Sequence, residues 1–179
     1  MSPTIQPTAE SFWIGFAEHF VAATTKDKDW RDSWQGATKW GNWMRQQVLL
    51  PLFESMGFAP PATVWEPRAR VIYILGQAAA VVMHDNNKNT WLTKWSELQT
   101  DGRALRVLIS YEEDDPARLG KQLADAAVAV RGPRGDFPPG TPLLLILGPF
   151  RNPEGKEFVG RRWTDGRFTI LGAVSFPEH

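Results

Sequence analysis

The chain has no cysteine and only three histidines, one of them the terminal His179. Without thiols it can form no disulfide, no iron–sulfur cluster, no thiolate zinc site and no cysteine nucleophile, and three imidazoles make a histidine zinc centre a poor fit. Charge of one sign is missing too: 20 Lys and Arg offset 20 Asp and Glu, for a formal net charge of zero. No global field therefore draws the molecule onto nucleic acid, although a local basic face is still allowed. No apolar run approaches the ~20 residues of a membrane helix, and residues 1–10 lack the basic-then-apolar pattern of a secretory signal. A cytoplasmic protein with no membrane partner is the expectation. The Walker, dinucleotide-binding, H-E-x-x-H and G-x-S-x-G patterns are all missing, so the commonest phosphate, zinc-protease and serine-hydrolase chemistries have no anchor.

What the chain does have is tryptophan, nine residues, of which Trp13, Trp30, Trp34, Trp40 and Trp43 fall in its first quarter. Such rings stack on bases in some proteins, but filling a core or a subunit interface is their commoner use, and a homodimer is one partner they would suit. The 179 residues fit a single domain, 1–179, long enough to bury roughly 70 % of the surface of its unfolded chain. Residues 1–9 read as a loose lead-in and 10–57 as a helical region packed on a sheet.

Phe12, Trp13, Phe16, Phe20 and Val21 recur at helical spacing and predict a helix from Glu10 to about Ala23, with Ser11 near its N-cap. A second helical region runs from Asp32 to about Met56. Pro51 inside it predicts a kink, or two helices meeting, near Leu50, and Gly57 a stop. Val71–Leu75 and Ala79–Met83 read as neighbouring central strands, antiparallel through a tight turn at Gly76-Gln77. Thr90 opens a helix whose Trp91, Trp95 and Leu98 face the sheet while Lys94 and Glu97 do not. A third central strand follows from Ala104 to Tyr111. The acidic Glu112 to Asp115 precedes Pro116 and is explained as the charged start of a helix reaching about Val130. Leu143–Leu147 and Phe168–Phe176 complete a mixed sheet of about five strands, with a Gly-rich basic loop or hairpin from Arg151 to Arg167 between them.

Two groups of residues are candidate sites. His84-Asp85-Asn86-Asn87 stands at the exit of a buried strand, where rigidly held side chains often carry chemistry; the same residues also suit a turn and a helix cap. The second group is basic: Arg151, Lys156, Arg161, Arg162 and Arg167 interleave with Phe158 and Trp163, and Arg68 and Arg70 can join them to hold a phosphate backbone and stack a base. Glu154, Glu157 and Asp165 dilute that charge, and a solvated hairpin is the plainer reading.

The succession VVMHDNN, TWLTKWSEL and ALRVLISY resembles the core of the restriction-endonuclease-like, or PD-(D/E)xK, superfamily. There a strand of the form I-E-x-E-N leads to a helix with E-x-x-K-L and then to a strand like V-L-I-x-Y; here Lys94-Trp95-Ser96-Glu97-Leu98 and Val107-Leu108-Ile109-Ser110-Tyr111 carry the likeness, over the middle third of the chain. The resemblance implies an α/β fold with helices flanking a mixed sheet. In an active member, acids on two adjacent strands would hold Mg²⁺ or Mn²⁺ for phosphodiester cleavage. Ile72 and Met83 occupy those two positions, leaving Asp85 at a third, with His84 beside it. The resemblance therefore implies a catalytically degenerate domain, without a cofactor, that binds a protein or a nucleic acid; the nucleic-acid-binding residues would be Arg68, Arg70, Lys156, Arg161, Arg162 and Trp163. Two alternatives stay open. One is an active nuclease with relocated ligands, Asp85 and Glu66 holding the metal, His84 assisting and Glu18 a further acid. The other is a small-molecule or regulatory α/β module.

Overall fold

The computed structural model describes residues 7–58, 64–65, 70–76, 80–88, 90–99, 105–113, 115–131, 143–164 and 166–178. Helix α1 (Ala9–Lys26) starts at a capping box in which Thr8 and Ser11 satisfy each other's backbone N–H, so Thr8 is the N-cap and Ser11 its partner. Its buried face includes Phe12, Trp13, Phe16 and Phe20, as the spacing predicts, but Val21, expected with them, is 48 % exposed. The second helical region is interrupted twice. Gln35 and Gly36 separate α2 (Trp30–Trp34) from α3 (Ala37–Trp43), and Met44–Leu49 form a π-helical segment before α4 (Leu50–Ser55). The Leu50 N–H bonds the Arg45 carbonyl, five residues back. Pro51, which has no N–H and crowds the turn before it, thereby falls in the first turn of α4, where that donor is not needed. The kink expected near Leu50 takes this form.

The sheet follows chain order: β1 (Val64–Trp65), β2 (Arg70–Leu75), β3 (Ala80–Lys88), β4 (Leu105–Glu112), β5 (Leu143–Pro149), β6 (Glu157–Thr164) and β7 (Arg167–Ser175). Strands β3, β4 and β5 are parallel, joined through α5 (Trp91–Gln99) and α6 (Pro116–Arg131); every other neighbouring pair is antiparallel. The protein is thus α/β with a mixed sheet of six full strands and a two-residue edge, where the sequence predicts about five. The additional full strand is β6, inside the stretch expected as a basic loop or hairpin.

The β2–β3 connection also differs from expectation. Gly76 has the positive φ of a turn residue, 59°, but Leu75 pairs with Ala80, whereas a two-residue turn at Gly76-Gln77 would set it opposite Ala78. A slip of two residues leaves every side chain on its own face, so the burial pattern cannot tell the two registers apart.

Side chains from the two faces of the sheet fill separate cores. Toward α1–α4 lie Tyr73, Val82, Val107, Ile109, Ile146 and Phe158, packed with Trp13, Trp30, Trp40 and Trp43; toward α5 and α6 lie Met83, Leu108, Leu145 and Trp163, packed with Trp91, Trp95 and Leu98. Four of the five early tryptophans are buried and Trp34 packs partly buried against them, which makes them core rings. Trp91 and Trp95 are fully buried, and Lys94 pairs with Glu97 at 2.8 Å on the outer side of α5, as predicted. No helix among the described residues is long and apolar enough to cross a membrane.

Candidate functional site

Successive residues of a strand point to opposite faces, and this rule divides the polar cluster on β3. His84 enters the first core, where its Nε2 lies 2.8 Å from the Tyr111 hydroxyl. The Trp40 indole donates to the same hydroxyl at 2.5 Å. Since an indole N–H can only donate, the assignment that strands fewest groups has the Tyr111 proton donated to His84 Nε2. The imidazole is then neutral with its proton on Nδ1, and Nδ1 has no partner. Burial pushes the His84 pKa down to about 3 and raises that of Tyr111.

Asp85 points the other way, toward α5. It is 0 % exposed. Its Oδ2 accepts from the Thr90 hydroxyl at 3.0 Å, and its backbone carbonyl accepts from the Ser110 hydroxyl at 3.2 Å. His84 and Asp85, which the active-nuclease alternative places together with Glu66 in one site, are therefore separated by the sheet, and neither reaches solvent. Asn86 donates to the Ala37 carbonyl at 2.7 Å and so ties β3 to α3.

The resemblance requires metal carboxylates at Ile72 and Met83, and these two residues are directly paired across β2 and β3. Both belong to the core under α5 and α6. The positions are adjacent as a two-strand metal site needs, but a sec-butyl group and a thioether face each other there. Asp85 follows two residues on, opposite Arg70 in register. Mg²⁺ requires oxygen ligands and retained waters; Ile72 and Met83 offer none, and Asp85 is sealed and already bonded. The described residues thus do not fit a Mg²⁺ site, and no group of three or more His, Cys, Asp or Glu converges among them. Glu66 and Arg68 lie outside the described residues. Glu18, the further acid considered, is an exposed residue of α1.

A second polar network stands at the carboxyl end of β4. Glu112 is 5 % exposed. Its Oε2 accepts from the Trp91 indole at 2.6 Å, its Oε1 accepts from the Glu113 N–H at 3.1 Å, and the Arg118 Nε lies 3.8 Å away. Gln122 Oε1 shares the Trp91 donor at 3.3 Å, while Asp115 accepts from the Arg118 N–H at 3.1 Å as a cap of α6. Of the four acids predicted as a helix start, Asp115 acts as one. Glu112 instead locks α5 and α6 to the sheet, a role that residue spacing gives no means of foreseeing.

Beyond Glu112 a groove of about 310 Å³ runs between the ends of β4 and β5, strand β6 and helix α6. Open α/β sheets usually bind ligands at this end of their parallel strands. Here the expected basic surface can be checked residue by residue. Arg161 lines the groove; Arg162 points to the opposite face, where it pairs with Glu10. Trp163 is 8 % exposed and packs edge-on against Phe168, and Phe158 is wholly buried among Phe16, Phe20 and Phe176. Lys156, at the groove, donates to the Arg151 carbonyl at 3.3 Å. The strand's alternation splits the basic run between two faces, and the two aromatic residues are core.

No protein-family model, curated protein or solved structure matches this chain.

Proposed function

We propose that this chain is a catalytically degenerate α/β domain of the restriction-endonuclease-like type that acts by binding, with a protein as its partner. The observation that carries this reading is the direct pairing of Ile72 with Met83 on the face where the resemblance expects a pair of metal carboxylates, with Asp85 buried beyond them. Phosphodiester hydrolysis needs positive charge held against the developing negative charge and a water aligned for attack. An apolar pair and a sealed carboxylate supply neither.

A protein partner is favoured over nucleic acid by the arrangement of the basic residues. Arg162 is engaged by Glu10, Trp163 is in the core, and Glu112, Glu113 and Glu157 share the groove with Arg161 and Lys156. A phosphate backbone laid there would meet as much negative as positive charge.

Purified protein incubated with single- and double-stranded DNA and RNA in Mg²⁺ or Mn²⁺ is expected to cleave none of them. It is also expected to show no salt-sensitive retention of a labelled oligonucleotide between about 50 and 200 mM salt. Cleavage abolished by Asp85→Ala would overturn the degenerate reading and return Glu66 as the partner ligand to mutate. Retention that weakens steeply with salt would replace the protein partner with nucleic acid.

A further inference from the structure

Arg161 stands out among the buried charges. It is 9 % exposed, yet its guanidinium makes a single hydrogen bond, a long one of 3.4 Å from Nη1 to the Val159 carbonyl of its own strand. Among the described residues no carboxylate pairs with it. Buried arginines are ordinarily satisfied by an acid, and here the guanidinium nitrogens left without one are not sealed in the core but reach the groove. Burial also lowers its pKa. The unused donors open on the groove that Arg161 lines together with Glu112, Glu113, Lys156 and Glu157.

The neighbours define what would complete the site. Glu112 is held by Trp91 and approached by Arg118, Glu113 lies 3.5 Å from Arg118, and Glu157 accepts from the Ser175 hydroxyl at 3.1 Å. Each acid of the groove has its donor, while Arg161 has only the long bond to the Val159 carbonyl and no anionic acceptor among the described residues. The missing group is thus one anion with two oxygens in a plane, to match the guanidinium fork. Three carboxylates around the groove disfavour a second negative charge on it. Leu119, Leu147 and Val159 provide apolar wall for a short hydrocarbon stem.

We propose that the groove is a binding site for a monocarboxylate seated bidentately on Arg161, supplied either by a small carboxylic acid or by an acidic side chain of a partner peptide. This rests on the reading of the chain as a binding domain and gives that domain a ligand chemistry. The two fail separately: cleavage lost with Asp85→Ala would leave the groove intact, and a groove that binds no carboxylate would leave the apolar Ile72–Met83 pair as it is.

The test is a titration of ¹⁵N-labelled protein followed through the Arg161 Nε–Hε resonance. The probes are sodium propionate, N-acetyl-glutamate N-methylamide and inorganic phosphate, each at constant ionic strength. Both carboxylates are expected to shift the resonance saturably, with Kd of about 1–10 mM for one charge-assisted pair, and phosphate to bind at least about tenfold more weakly. Arg161→Lys, which keeps charge but not the fork, is expected to weaken propionate about tenfold; Glu18→Gln, on the far side of α1, should leave it unchanged. Tighter binding of the peptide analogue would assign the site to a partner protein, and equal binding would assign it to free carboxylic acids. No saturable shift with either carboxylate, or phosphate binding as tightly as propionate, would overturn the proposal. Because the parent protein carries the decisive readout, the conclusion stands even if Arg161→Lys does not fold.

Discussion

Lowering the pH should destabilise this protein through one residue, His84. Its imidazole is 1 % exposed, accepts the Tyr111 proton at 2.8 Å, and has its pKa pushed down to about 3 by burial. In the unfolded chain the same ring titrates near 6.5. Between those values the unfolded state holds a proton that the folded state does not. Stability from this residue is therefore complete above about pH 6.5 and falls by about 1.4 kcal/mol per unit as pH drops toward 3. From pH 6.5 to 4.5 the loss is about 2 kcal/mol, a sizeable share of the 5–15 kcal/mol typical of a domain. The direction follows from geometry as well: a proton on Nε2 would remove the acceptor of the Tyr111 hydroxyl, which already accepts from Trp40, and would place a cation in a core of aromatic and aliphatic side chains. Urea unfolding at pH 7, 6 and 5, for the parent and for His84→Gln, isolates the effect because glutamine does not titrate. The parent should lose about 2 kcal/mol more than the variant between pH 7 and 5. Parallel pH profiles would refute the burial of a neutral imidazole at this position.

Four further outcomes follow from the packing. Tyr111→Phe removes the hydroxyl that joins Trp40 to His84 and leaves two buried groups unpaired; a loss of about 2–4 kcal/mol in chemical denaturation is expected. Trp91→Phe keeps an aromatic ring on α5 but deprives the buried Glu112 carboxylate of its 2.6 Å donor, at about 1.5–3 kcal/mol, and pairing it with Glu112→Gln in a double-mutant cycle should recover part of that loss. Trp95→Ala empties a fully buried site in the second core and should cost about 3–5 kcal/mol; an unchanged urea midpoint would mean the helix face is inverted. Gly160→Ala sets a methyl group inside contact distance of the Trp13 indole, so it should destabilise by about 1–3 kcal/mol and shift the tryptophan emission to the red.

The fold was legible wherever residues act through periodicity. The helix face of Phe12, Phe16 and Phe20 and the inward Trp91 and Trp95 come from spacing at 3.6 residues, whereas the central strands come from unbroken apolar runs, since β4 and β5 are buried on both faces. What spacing could not supply came from backbone chemistry and from partners distant in sequence. Pro51 announces a break, but whether the chain kinks or inserts a π turn is decided by how the neighbouring carbonyls are satisfied. Strand β6 escaped because its alternation of buried and more open residues is broken at Gly160 and Arg161, which are both buried. An arginine inside a strand resembles a surface residue until its groove is seen.

The candidate sites were harder to read, for a reason that lies in the strand itself. A run such as His84-Asp85 or Arg161-Arg162 looks like one cluster on paper, but in extended chain neighbours diverge and only alternate residues share a face. His84 accordingly bonds Tyr111 from β4 and Asp85 bonds Thr90 at the entry to α5; Arg161 faces the groove while Arg162 meets Glu10 of α1. The residues that do meet come from separate strands at matching height: Ile72 with Met83, and His84 with Tyr111 two positions beyond its own partner Ile109. A functional surface on such a sheet has to be sought across strands, among residues of one face. On the α5–α6 face that search leads past the apolar pair where the resemblance places metal ligands, to the end of β4 and β5, where the buried arginine of β6 is the charge left without its complement. The carboxylate recognition proposed for Arg161 is accordingly located in the groove between the ends of β4 and β5, strand β6 and α6.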